Sequence, residues 1–412
     1  MRMETEIENI KDDVLMRSKG FKKTKVGWIP EDWRVVTLEK AVTFLDGKRK
    51  PIKESDRSKM KGKYPYYGAS GIIDYINDYI FDEELILLGE DGANILNRST
   101  RLAFKVKGKV WVNNHAHVLK PKTGFDIDYL NDYLESIDYI KYNTSIAQPK
   151  LNKAVCQDIP IAVPNYEEQK QIAEILSTWD EAIESSKNLI ENLKLRKKGL
   201  MQQLLTGKKR LSGFDGEWRK IPIGDIADHY STKNKANDEI VVLSCTKYDG
   251  LVPSLEYFGR KVYGDDISKY KMVPKGYFAY ATNHIEEGSI GLQTDLEVGL
   301  VSPMYTVFKT KKQIHDAFFF RMLKTEKMIY KYQSNMSGSI ARRGGLRWND
   351  FKTIKVYIPE FEEQKAINDI FIETDNELAN HKAKLFQLET QKKGLMQQLL
   401  TGQLRVSAAK ND

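Results

Sequence analysis

From Ile172 onward, large apolar residues recur at alternating steps of four and three: Ile172, Leu176, Trp179, Ile183, Ile190, Leu193, Leu200 and Leu204, interrupted by Ser186 and Lys197. The stepping returns at Ile367, Phe371, Leu378, Leu385, Leu388, Leu395 and Leu399, interrupted by Thr374, His381 and Lys392. On a helix this spacing draws one apolar stripe, the seam of a coiled coil, and two such helices in one chain can pair with each other. The same residues would also serve two amphipathic helices that each pack on their own domain. The first helix has a start signal in Pro164-Asn165, with Glu168 at the capping-box position, and a stop in Gly207; Glu360 makes a poorer cap for the second. Roughly 40 residues at about 1.5 Å each give a rod of about 60 Å.

The two rods are copies. Lys197 to Gly207 and Lys392 to Gly402 both read KKGLMQQLLTG, 195 positions apart, and Glu167-Glu168-Gln169-Lys170 returns at the same offset as Glu362-Glu363-Gln364-Lys365. Neither copy has gained or lost a residue between these anchors, as expected of a segment that works as a ruler. The stretches before the rods open alike, on Ile29-Pro30-Glu31-Asp32-Trp33 and Gly216-Glu217-Trp218, and close alike, on Ser145-Ile146-Ala147 and Ser339-Ile340-Ala341, yet diverge almost completely in between. This divides the chain into an N-terminal segment 1–27, a first globule 28–158, a helical region 159–207, a second globule 208–353, a second helical region 354–406 and a tail 407–412.

The globules read as mixed and strand-rich, an α+β class. Leu85–Leu88, Leu102–Val106, Val110–Val112 and Ile240–Leu243 are strand-like runs between glycine-bearing turns, whereas Ile127–Ile140 and Ile314–Tyr332 look helical. At 412 residues and 41% hydrophobic content the chain can build two real cores beside its rods. Two cysteines, Cys156 and Cys245, make neither a disulfide framework nor a metal cluster. No apolar stretch is long enough for a bilayer, and the charged start does not suit a secretory signal, so cytoplasm is expected.

A net charge of +8 is modest, but it is clustered: Lys48 to Lys63 carries eight Lys or Arg, and Ser185 to Leu211 carries eight against the single acid Glu191. Such clusters suit a polyanion, and Lys48, Arg49 and Lys50 are candidates; a solvated face, or cations favoured at a helix C-terminus, is the plainer account. Polar, small-residue loops lie between the strands. They supply Tyr67, Gly68, Ser70, Asn114, His115, Ser145, Gln148 and Lys150 in the first globule and Asn283, His284, Ser339, Arg342, Arg343 and Arg347 in the second. Arg suits guanine edges, Asn and Gln suit adenine, and small residues admit a phosphate to the backbone, although any one such loop can be only a turn. His117 reads as structural.

The Pro-x-x-Glu-Glu-Gln-Lys-x-Ile opening of each rod, its KKGLMQQLLTG ending and the Ile-Pro-Glu-Asp-Trp start together resemble the specificity subunit of Type I restriction-modification systems, from about Gly27 to Val406. The resemblance implies two target recognition domains alternating with two conserved helical regions, the helices paired antiparallel as a pseudo-twofold repeat. Each domain would read one half of a split, asymmetric target in double-stranded DNA. It adds Lys247, Tyr248 and Tyr305 to the candidate contacts. It also implies partners: two methyltransferase subunits carrying S-adenosylmethionine, and two restriction endonuclease subunits using ATP and Mg. This chain itself would hold no cofactor or metal and would not be an enzyme. In keeping with that, it has no Asn-Pro dipeptide for a methyl-transfer motif and no Gly-x-x-x-x-Gly-Lys-Ser/Thr loop. Glu168-Gln169-Lys170 and Glu363-Gln364-Lys365 fit the Glu-x-Lys of nucleases, but acids in a first helical turn have a simpler role at free N–H groups. A coiled-coil scaffold whose globules bind proteins or another polyanion is the competing reading.

Overall fold

The structure, a computed structural model, describes residues 15–145, 148–336 and 345–406. The chain forms two compact units, Met1–Lys187 with Ala383–Asp412, and Asn188–Lys382. The borders cut through both long helices, Tyr166–Leu204 and Phe361–Leu400. Each unit therefore owns one half of each rod, which a linear division at the rod ends does not anticipate.

In the first unit, Val42–Phe44, Ala116–Pro121, Leu85–Gly89 and Ala103–Val106 make an antiparallel sheet in that order. A second sheet runs Gly71–Ile76, Lys61–Gly68, Lys109–Val112, Phe81–Asp82, with Lys109–Val112 parallel to Lys61–Gly68. Leu85–Gly89 is buried throughout, as expected of a strand with cover on both faces. The helix Ile127–Ser136 is capped by Asp126, whose carboxylate accepts from Asp128 and Tyr129 N–H, and lays its apolar face on the first sheet. Strand Pro160–Val163 pairs with Arg34–Thr37 and leads directly into the first rod.

The start of the first rod and the end of the second share one core in this unit: Ile172 and Leu176 pack with Leu399, Leu400 and Trp33. The lysine that interrupts the second seam is no defect, because buried Lys392 meets Asp180 of the first rod at 2.6 Å, and Asp180 also holds Arg101 at 2.6 Å. Lys187 and Glu389 add a contact at 3.1 Å. The second unit repeats the arrangement with roles exchanged. Ile367 and Phe371 pack with Leu204 and Leu205, and Lys197 of the first rod meets Asp375 of the second at 2.5 Å, with Arg321 at 2.9 Å from the same carboxylate. In each unit the early part of one rod lies against the late part of the other, so the pairing is antiparallel. All twenty positions of the four-three stepping are buried or half-buried.

The second unit has a smaller antiparallel sheet, Ala227–Tyr230, Tyr305–Thr310, Phe278–Ala281, Ile290–Leu292, flanked by the ribbons Leu243–Thr246 with Gly250–Pro253 and Lys271–Pro274 with Val298–Val301. Arg219–Pro222 pairs with Lys355–Ile358, matching the ribbon that feeds the first rod. Two readings from sequence need correction. Ile240–Leu243 is not a strand, since only Leu243 belongs to one. Ile314–Tyr332 is two helices, Asp316–Leu323 and Glu326–Asn335, because the side chain of Thr325 turns back to the Met322 carbonyl. Among the described residues no helix is long and apolar enough to cross a membrane.

Candidate nucleic-acid interface

The repeated Glu-Glu-Gln-Lys is fastening. Asn165 Oδ1 accepts from Glu168 N–H at 2.9 Å, half of the expected capping box, but the Glu168 carboxylate does not turn back to complete it. It accepts instead from Arg405 at 2.7 and 3.1 Å and from Trp33 Nε1 at 3.2 Å. Its counterpart Glu363 takes both arms of Arg210, at 2.6 and 2.7 Å. Gln169 is fully buried; its Oε1 accepts from Asp126 N–H at 2.9 Å while Nε2 donates to Pro164 O at 3.1 Å and Gly124 O at 3.3 Å. Gln364 does the same with His315 N–H, Pro359 O and Gln313 O. Two Glu-x-Lys triplets are thereby committed to joining rod, opening motif and recognition fold.

Strand ends and turns of the first unit converge on an open hollow of about 650 Å3, walled by Ser70, Ile72, Ile73, Asp91, Asn113 and His115 among others. The backbone stitches its rims together: Glu90 N–H donates to His115 O at 2.9 Å, Gly92 N–H to Pro149 O at 3.0 Å, and Leu151 N–H to Glu90 O at 2.7 Å. Ser70, Asn114, His115 and Gln148 stand exposed in this part of the unit, as do Lys48 and Lys50. Arg49 is different. Its guanidinium is spent inside, on Glu90 at 2.7 Å and the Ala116 carbonyl at 2.7 Å. Lys150 sits 3.4 Å from the same Glu90, and His115 Nδ1 is 2.7 Å from Asp91. Tyr64–Gly68 is strand, not loop, so Tyr67 is half-buried over Phe104 and Gly68 is buried under Ile73, whose Cδ1 would lie 2.4 Å from an added Cβ. Ser145 is half-buried, accepting from Gln148 N–H.

Beneath this rim lies His117, 1% exposed, with Nδ1 2.8 Å from Asp46 Oδ2 and Nε2 2.8 Å from the Leu151 carbonyl. Burial penalises a charged ring, but the carboxylate of Asp46 and contact with Cys156 outweigh it and bring the pKa up to about 10. Burial likewise penalises ionised Asp46, yet His117, the Val118 N–H and Arg49 hold its pKa below 3.8. His117 thereby joins two rim segments, in surroundings that favour a protonated ring.

In the second unit the exposed turn carrying Lys247 and Tyr248 joins the ribbon strands Leu243–Thr246 and Gly250–Pro253, and half-buried Lys324 reaches it, its ammonium donating to Lys247 O at 2.9 Å, Thr246 O at 3.4 Å and Gly288 O at 2.8 Å. Desolvation holds the Lys324 pKa below 10.5. One lysine thereby ties that turn to the turn carrying exposed Asn283 and His284. Tyr305 is half-buried, its hydroxyl accepting from Cys245 N–H at 3.2 Å, and Thr282 joins the group by donating to Met304 O at 2.8 Å and accepting, through its carbonyl, from Leu346 N–H at 2.8 Å. Arg347 is exposed where the chain enters Trp348–Phe351. Ser339, Arg342 and Arg343 lie outside the described residues. His284, Glu286 and Glu287 bring potential ligand atoms within 4.8 Å of one another, a common grouping on exposed acidic turns. Lys324 and Glu90 escaped sequence reasoning because each works through backbone carbonyls or across loops distant in the chain.

Residues 30–195 and 216–390 each match the family described as Type I restriction modification DNA specificity domain. A putative type I restriction enzyme specificity subunit of Haemophilus influenzae is 27% identical over 382 residues, covering 88% of this chain and 90% of the relative. The MjaVIII specificity subunit of Methanocaldococcus jannaschii is 24% identical over 441 residues, covering 95% and 97%. In fold, the chain is similar to the S subunit from M. genitalium, with TM-score 0.52 at 16% identity over 89% of this chain and 96% of that one. A chain from a structure on complex assembly and conformational transition of the type I R-M system gives TM-score 0.54 at 14% identity, covering 91% and 99%. With both copies of the domain spanning most of its length, the chain belongs to the Type I restriction modification DNA specificity family and is a specificity subunit, whose task is recognition of a DNA target.

Proposed function

We propose that each unit reads one half of a bipartite, asymmetric target in double-stranded DNA, and that the chain supplies the address while partner subunits supply the chemistry. The observation that carries this is the contrast between like frames and unlike rims: the Gln169 and Gln364 fastenings correspond atom for atom, whereas Ser70, Asn114, His115 and Gln148 have no counterparts in Lys247, Tyr248, Asn283 and Arg347. Equal frames with different side chains read different bases. Two methyltransferase subunits would bring S-adenosylmethionine, and two endonuclease subunits ATP and Mg, all acting in the cytoplasm. Glu168 and Glu363 have no catalytic part in this reading, since both are committed to arginines. Methylome sequencing of the host with and without this gene tests it: one split motif with unlike halves should disappear. Gel shifts of that motif with the chain and its methyltransferase partner should weaken steeply with salt, and an unchanged methylome would sink the proposal.

A further inference from the structure

The rim of the first unit is built on charge buried beneath it. Asp46 Oδ1 accepts from Val118 N–H at 2.9 Å and its Oδ2 faces His117, while the Leu151 carbonyl faces the other ring nitrogen. A carbonyl and a carboxylate can only accept, so both ring nitrogens must donate, and only the imidazolium has two N–H groups. Against the penalty of burial, Asp46 is held ionised by His117 first, then by the Val118 N–H, with a smaller contribution from Arg49, 3.7 Å away. Every element packed on the ring contributes to the balance. Glu90 lies 3.8 Å from Nδ1 and is itself shared with Arg49 and Lys150; Cys156 and Lys153 come from the short helix below, Lys153 standing over the Phe44 ring that meets His117 edge-on.

We propose that His117, as an imidazolium, is the positioning residue of the first unit's reading surface: one buried cation ties Asp46, at the foot of the Lys48–Lys50 turn, to Leu151, which follows Gln148 and Lys150. It touches no base itself. Loss of its proton leaves one nitrogen lone pair against an acceptor, and the two rim segments separate. This deepens the proposed function and rests on the first unit being a DNA-reading domain. The sequence hides it, because Asp46, His117 and Leu151 are far apart in the chain.

The test uses the chain assembled with its methyltransferase subunits and a duplex carrying the methylome-defined target, with single base-pair substitutions scanned through both half-sites. His117→Gln, which keeps one donor, should weaken target binding about tenfold, the worth of one hydrogen bond with a charged group. It should also flatten discrimination in one half-site while leaving the other as in wild type. Asp46→Asn removes the carboxylate that offsets burial, so the ring should lose its proton at lower pH and target affinity should fall as pH rises from about 5 to about 8, whereas wild type stays level and the double variant stays level and weak. Histidine-selective 13C NMR, with His117 assigned by its loss in His117→Gln, should find a doubly protonated ring at pH 8; this measurement holds even if Asp46→Asn fails to fold. A neutral ring at pH 8, unchanged discrimination in His117→Gln, or a level profile in folded Asp46→Asn each overturns the inference while the reading of the unit stands. A wild-type complex that prefers no sequence overturns both together.

Discussion

Asp132 is a buried carboxylate with its nearest cation already engaged, since Lys392 is given to Asp180. Desolvation, only partly offset by Lys392, lifts its pKa to about 6 from 3.8. The sign follows from linkage: a folded state that holds the proton more tightly gains stability below the unfolded pKa and loses it as pH rises through the folded one. Above about pH 6 the ionised side chain is therefore a cost, on the order of 2 kcal/mol from a shift of this size. Asp132→Asn should be more resistant to denaturant than wild type at pH 7.5, with the advantage much smaller at pH 4.5; an equal gap at both pH values would exclude the mechanism. The same scale shows what sequence can and cannot announce. Exposed Ser70, Asn114 and Gln148 could be picked out from loop composition, because exposure and polarity go together. Arg49 looked equally available, yet it is taken by Glu90, a partner 41 positions away that no local pattern discloses.

At the scale of elements, the repeated rod ending explains its glycine. Gly207 and Gly402 both have φ of +71°, the left-handed region that ends a helix with little strain only in glycine. They differ in what surrounds them. An added Cβ at Gly402 would lie 2.4 Å from Pro30 Cγ, whereas at Gly207 the nearest atom is Trp218 Cδ2 at 3.2 Å. Gly207→Ala should cost about 1 kcal/mol from backbone strain alone, and Gly402→Ala clearly more, because the helix end must also back away from Pro30. Chemical denaturation of the two variants would show it, and equal losses would mean that the opening motif yields freely. The helix-period stripe and the terminal glycine were legible because both are local. Lys197 and Lys392 were legible only as interruptions: their partners Asp375 and Asp180 sit on the opposite rod, so their part in fixing antiparallel register appears only once the rods are paired.

For the molecule as a whole, the decisive quantity is rod length. The two helices run 39 and 40 residues, and each contributes to both units. With divergent globules on rods of unvarying length, the expected outcome is that the rods set the spacing of the half-sites and the rims the bases read. The two should therefore be separable by deletion. Removing 186–192 from the first rod and 381–387 from the second takes one heptad from each and preserves the four-three stepping on either side. The locks Asp180–Lys392 and Lys197–Asp375 remain in place. Seven residues at about 1.5 Å shorten a helix by about 10 Å, or roughly three base pairs at about 3.4 Å. Cells carrying this variant should methylate the same two half-sequences at a smaller gap, read directly from the methylome. Should the parental gap persist in a folded, active variant, the rods would be fasteners only, and the spacing would have to be set by the partner subunits.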